Sequence, residues 1–110
     1  PERTPARVAR LVALAHRIER MVRTGEFRDY AQVALAAGIT RARASQLVDL
    51  TLLAPDIQER LLVMQRVEGE PEPLGEQDLR PVVREPDWDK QRTVFNRLSA
   101  SPRASGSLTA

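Results

Sequence analysis

Apolar residues recur at helical intervals through the first part of the chain. Val8, Leu11, Val12, Ala15, Ile18 and Val22 follow the i, i+3, i+4, i+7 spacing, Leu14 and Met21 widen the stripe, and Arg10, Arg17 and Arg20 fall outside it. The spacing predicts a long amphipathic helix that begins near Ala6, after a short polar lead-in, and ends near Gly25. Farther on, Ala44, Leu47, Val48 and Thr51 share one side of a helical wheel, while Ala42, Ser45, Gln46 and Asp49 lie opposite. Ile57, Leu61 and Leu62 predict the buried face of another helix. Pro55 suits its first position, where no N–H is needed, and Asp56 and Glu59 complement its positive end. The stretch EGEPEPLG, residues 68–75, breaks every helical pattern and reads as an exposed acidic loop. Residues 76–83 hold one helical turn or two, cut by Pro81. Pro86 and Asp87 open a last helix with Trp88, Gln91, Phe95 and Leu98 along one side. The pattern as a whole predicts an all-α domain of five or six helices over residues 1–100. A Ser-, Ala- and Gly-rich tail at residues 101–110 is expected to be disordered.

The most specific spacing lies in YAQVALAAGITRARASQLVDL, residues 30–50. It reads as two short helices joined at Gly38, where the first ends and a residue tolerant of positive φ is needed. Ala34 lies four residues earlier, where two steeply crossing helices leave room for a small side chain only. Thr40 offers an N-cap hydroxyl, and residues 41–49 wind without glycine or proline. Asp29 is the expected N-cap of the first of the two helices, and Phe27 an apolar plug beneath the connector before it. This is the pattern of a helix-turn-helix, whose second helix enters the DNA major groove.

Composition narrows the class. With 42% hydrophobic residues in 110, the chain suits a single globular domain. No apolar run approaches the roughly 18 residues of a membrane span, and no signal-like segment opens the chain, so a soluble cytoplasmic protein is expected. The chain begins at Pro1, as a processed protein or a fragment does. The absence of cysteine excludes disulfides, thiolate metal sites and thiol nucleophiles. His16, the only histidine, has no carboxylate or cysteine partner at ligand spacing and reads as a surface residue. The glycines are scattered rather than gathered in a phosphate loop, and the acidic loop has no regular ligand spacing. No enzyme, cofactor, metal or small-molecule ligand is therefore expected.

The net charge of +2 hides a segregation. Residues 1–48 carry nine arginines against four acids, a net of +5, whereas residues 49–90 carry five basic and eleven acidic residues, a net of −6. The basic half coincides with the helix-turn-helix, as neutralisation of phosphates requires. All but one of the basic residues are arginine, whose planar fork suits phosphates and guanine edges.

Residues 31–62 resemble the central DNA-binding domain of the ParB/KorB partition proteins. In that family a helix-turn-helix ending in a run of leucines is followed at once by a Pro-acid-Ile/Val-Gln-Glu segment. The matching stretches are VALAAGITRARASQLVDL, then LLAPDIQERLL and, more faintly, LGEQDLRPVV, where the family has a short helix after a loop. The match covers about half the chain. The resemblance implies that residues 40–46 enter the major groove and that the helix from Pro55 braces them. The family's preceding nucleotide-binding domain and its dimerisation domain are not recognisable in these 110 residues, so nucleotide-driven clamping is not implied. The final helix lies outside the family pattern. The chain is also similar to small DNA-binding proteins of plasmids, prophages and transposable elements that keep only this domain.

The expected function is thus sequence-specific binding of double-stranded DNA, as a transcriptional regulator or as a partition or mobile-element accessory protein on the nucleoid. Thr40, Arg41, Ala42, Ser45, Gln46 and Asp49 are the expected base-reading positions, with Gln suited to adenine and Asp able to accept from a cytosine amino group. Arg28, Tyr30, Gln32 and Arg43 are expected at the DNA backbone, Arg43 also being placed to reach a guanine, while Ala34 and Gly38 shape the turn. One small helix-turn-helix makes few contacts, so a homodimer reading two half-sites is expected, with Trp88 and Phe95 as candidate interface. Other classes predict different behaviour: a protein-interaction adaptor would show little salt dependence, and a nonspecific DNA-binding accessory factor would show no preferred site. RNA binding is disfavoured by the lack of exposed aromatic and basic strands.

Overall fold

The computed structural model describes residues 1–100 and is an all-α domain. The expected tail, residues 101–110, lies outside the described residues. A long helix α1 (Arg7–Arg23) runs across a short pair, α2 (Tyr30–Ala37) and α3 (Arg41–Val48), and across α4 (Pro55–Leu62). A 3-10 turn over Asp49–Leu52 continues α3, and α5 (Glu76–Arg84) packs on α6 (Trp88–Ala100). Among the described residues no helix is long and apolar enough to cross a membrane.

The core forms where the predicted stripe of α1 meets the later helices. Val8, Val12 and Ala15 are fully enclosed, and Leu11 and Ile18 nearly so, against Leu47, Leu50, Leu53, Ile57 and Leu61. Burial of several such aliphatic side chains, each contributing about 1.5–3 kcal/mol, holds the domain together around α1. Phe27 is half-buried against the same core, as an apolar plug under the connector should be, and its N–H donates to Met21 O at 3.0 Å.

Three local expectations are corrected. The polar lead-in is a strand: β1 (Arg3–Pro5) pairs antiparallel with β2 (Gln65–Val67), with Thr4 opposite Arg66. These strands are too short and too exposed to show alternation. Their pairing ties the start of α1 to the end of α4, and the Ala6 N–H adds a bond to Met64 O at 2.9 Å. In α4, Gln58 rather than Leu62 completes the buried face beside Ile57 and Leu61, and Leu62 is 43% exposed. The reason is hydrogen bonding: Gln58 Nε2 donates to Thr51 O and Leu53 O at 3.1 and 2.7 Å, carbonyls at the end of the 3-10 turn. Finally, Pro81 does not cut α5, which runs unbroken for nine residues. Proline removes only the bond to the Gln77 carbonyl, one turn earlier on the solvent side, while Leu79 and Val82 anchor the opposite face.

The acidic loop serves α1. Glu72 Oε1 accepts the Arg7 N–H at 2.9 Å, supplying the helix N-terminus with the partner that Ala6 lacks. Asp87 caps α6 by accepting from the N–H groups of Asp89 and Lys90. The enclosed Gln91 side chain accepts from Ala54 N–H at 2.8 Å and donates to Glu85 O at 2.7 Å, joining α6 to the head of α4.

Candidate nucleic-acid interface

The α2–α3 unit is built from local capping. Asp29 Oδ1 accepts the Gln32 N–H at 2.9 Å, and Gln32 Oε1 accepts the Arg28 N–H at 2.6 Å, so the start of α2 is closed from both sides. At its end Gly38 adopts φ 72°, ψ 29°. The Ile39 N–H returns to Ala34 O at 3.0 Å and the Gly38 N–H to Leu35 O at 3.3 Å, which is a Schellman motif. Thr40 follows at once: its Oγ1 accepts the Arg43 N–H at 3.0 Å and starts α3. Two caps within three residues set the angle between the helices, and the buried Ala34 lets them approach.

Along α3, Ala44 and Leu47 are buried, whereas Thr40, Arg41, Ala42, Ser45 and Asp49 are exposed. The helix therefore divides as its sequence predicts, and it ends in the 3-10 turn at Asp49 instead of winding through it. Gln46 and Arg43 are half-buried at the edge of the exposed face.

Arg43 is not held out for a phosphate. Its guanidinium makes a two-pronged contact with the Glu76 carboxylate of α5, Nη1 to Oε2 at 2.5 Å and Nη2 to Oε1 at 2.9 Å, and Nη1 also donates to Gln46 Oε1 at 2.6 Å. The side chains of Arg43 and Glu76 are only 30% and 14% exposed. Such paired, charge-assisted bonds are the strong ones. The guanidinium holds the Glu76 carboxyl below the usual glutamate range, against the opposing effect of burial, with Arg80 and Arg7 adding to it. The same contact pushes Arg43 up. Arg43 thus fixes α5 against α3 and turns the Gln46 amide, whose NH2 is left without a partner among the described residues.

Arg28 is exposed beside Asp29, Nε to Oδ2 at 3.6 Å. The Asp29 carboxyl lies below its usual range because of the Gln32 N–H, with Arg28 contributing. Tyr30 is half-buried against the core, and Gln32 is exposed apart from its capping bond. Of the candidate interface pair, Phe95 is fully enclosed, with Arg60 stacked over its ring at 4.7 Å, while Trp88 is 48% exposed. Phe95 is thus a core residue and unavailable to a partner: α6 is buried against the domain through Gln91 and Phe95, and of the pair only Trp88 is left exposed. His16 is at the surface, hydrogen-bonded through Nε2 to Gln58 Oε1. Gln58 already donates through its amide, so the histidine is the donor.

Comparison of the chain with protein-family models, curated proteins and solved structures returns no match. Its own geometry is what bears on function. A cleft of about 320 Å³ separates α3 from α5, lined by Gln46, Asp49 and Leu50 on one side and by Glu76, Arg80 and Arg84 on the other. Sequence reading missed the α5 residues because a helix cut at Pro81 cannot align positions 76, 80 and 84. An unbroken one places them on a single row, four residues apart. The i, i+4 spacing of Glu76 and Arg80 was the available signal.

Proposed function

We propose that this chain binds double-stranded DNA sequence-specifically, with α3 in the major groove and α2 across the backbone, and that it does so as a homodimer. The observation that carries this reading is a doubly capped α2–turn–α3 unit that leaves Thr40, Arg41, Ala42, Ser45 and Asp49 exposed on one face of a short helix. It lies in the half of the chain with an excess of arginine. Arg41, Ser45 and Gln46 would read base edges, and Arg28 and the polar end of α2 would meet the backbone. Together with the resemblance of residues 31–62 to the ParB/KorB domain, this favours a transcriptional regulator, or a partition or mobile-element accessory protein acting on the nucleoid. A fluorescence-anisotropy titration of selected and random duplexes at two salt concentrations tests it. A steep salt dependence with one preferred sequence is the expected result. A steep dependence without preference reduces the role to a nonspecific accessory factor.

One feature favours a second reading, that of a protein-interaction adaptor. A largely apolar groove of about 500 Å³ runs between α1, α2 and the turn, with Leu14 and Ile39 exposed at its edge. Absence of DNA binding at low salt would transfer the function to that surface.

A further inference from the structure

The Arg43–Glu76 contact raises the question of which cations near α3 remain to meet phosphates. On α3 itself only Arg41 does. On α5, Arg80 and Arg84 are exposed, and among the described residues neither makes a hydrogen bond or an ion pair. Both line the same cleft as Gln46 and Asp49, so they open toward the side on which α3 presents its polar face. Glu76 is neutralised by Arg43, which leaves two arginines against the single carboxylate of Asp49 and a cleft of net positive charge. The Arg43–Glu76 pair ties α5 to α3 across that cleft, and the major groove is about 12 Å wide. A helix seated beside one that fills the groove therefore stands over the groove's wall, which is a row of phosphates.

We infer that α5 is a second DNA-contacting element in which Arg80 and Arg84 bind phosphates of the strand flanking the groove that α3 occupies; the inference rests on the DNA-binding reading above. In this arrangement Arg43 is a positioning residue. It holds α5 at the spacing the groove demands and contributes nothing to the phosphate count. Because phosphate contacts carry no sequence information, loss of Arg80 or Arg84 weakens binding to every duplex alike.

The test is the salt slope of the full chain and of Arg80→Ala, Arg84→Ala and Arg17→Ala, each titrated with the selected and a random duplex. Each phosphate contact contributes about 0.9 to the slope of log K against log salt. Arg80→Ala and Arg84→Ala are each expected to lower it by about that amount and to reduce affinity for both duplexes equally, whereas Arg17→Ala, in the groove between α1 and α2 and outside the α3–α5 cleft, leaves it unchanged. Arg80→Lys and Arg84→Lys, which keep the charge, retain the wild-type slope. Both side chains are exposed and make no hydrogen bond among the described residues, so the helical circular dichroism of the variants should match the parent. A wild-type slope in both alanine variants overturns the inference while leaving the DNA-binding reading intact. Wild-type protein that binds neither duplex overturns the reading itself.

Discussion

A single carboxylate decides what Arg43 does. Judged along α3 alone, Arg43 is a surface arginine one residue off the polar face. With Glu76 beside it, it is a half-buried strut. Glu76→Gln removes one charge from a charge-assisted pair and leaves Arg43 partly enclosed without its anion, and it is expected to cost about 1–2 kcal/mol at neutral pH. For a domain of this size that lowers the melting temperature by about 4–8 °C per kcal/mol, which a thermal scan measures. The pH dependence has a definite sign. The folded protein holds the Glu76 carboxyl below its ordinary value of 4.5, so the contribution is present above that pH and is lost as the pH falls below it toward the folded value. Wild type and Glu76→Gln should therefore converge in stability as acid is added, and a constant gap between them down to pH 3 would show that the pair contributes through packing alone. Gln46 belongs to the same scale. Its Oε1 is fixed by Arg43, and the residue lines the cleft. With only the NH2 left to donate to a base, Gln46→Ala is expected to lose about 1 kcal/mol of discrimination between cognate and altered sites, the low end of the range for a base contact, and Arg17→Ala almost none. Equal losses from both, across all sequences, would count against this face.

At the scale of elements, much of the fold is legible in sequence, and the limits have physical causes. α1, α2, α3 and α4 can be read because their signals are local: an apolar period, Gly38 at a helix end, Thr40 after it, Pro55 at a first turn. Gly38 is a place where the backbone requires the residue, at φ 72°. An added Cβ would meet nothing within 4 Å, so Gly38→Ala should carry only the left-handed backbone cost, about 1–2 kcal/mol. Gly38→Asn should recover part of the loss, because asparagine tolerates that conformation, and denaturant midpoints would measure both. What local reading misses depends on distant partners. Arg43 and Glu76 are 33 residues apart, His16 and Gln58 are 42 apart, and β1 meets β2 across most of the domain. Pro81 misleads for the opposite reason, since a local rule is overridden once Leu79 and Val82 are buried. The polar face of α3 could be assigned from the wheel alone. The second wall of the cleft could not, because it depends on where α5 packs.

For the molecule as a whole, the arrangement of charge and apolar surface bears on assembly. With Phe95 enclosed, the exposed apolar surface at this end is Trp88 together with Leu52 and Pro86, which share a cleft with Val83 and Arg84. Val83 and Arg84 also line the cleft between α3 and α5. The patch therefore adjoins the proposed DNA-binding side, where a two-fold contact would keep both α3 helices facing the same duplex. Two such helices on a two-fold axis read half-sites about one turn, roughly 34–36 Å, apart. A tryptophan at the centre of a small interface is expected to contribute about 2 kcal/mol or more, about thirtyfold in dissociation constant. Trp88→Ala should then sediment as a monomer at micromolar concentrations at which the parent is a dimer. It should also lose affinity for a two-half-site duplex while binding a single half-site as before, because its own α3 and α5 are untouched. A parent chain that sediments as a monomer removes the dimer, and with it the expectation of a palindromic site. Trp88 would then be an exposed side chain at the head of α6, and one α3–α5 cleft would have to supply the whole of the binding.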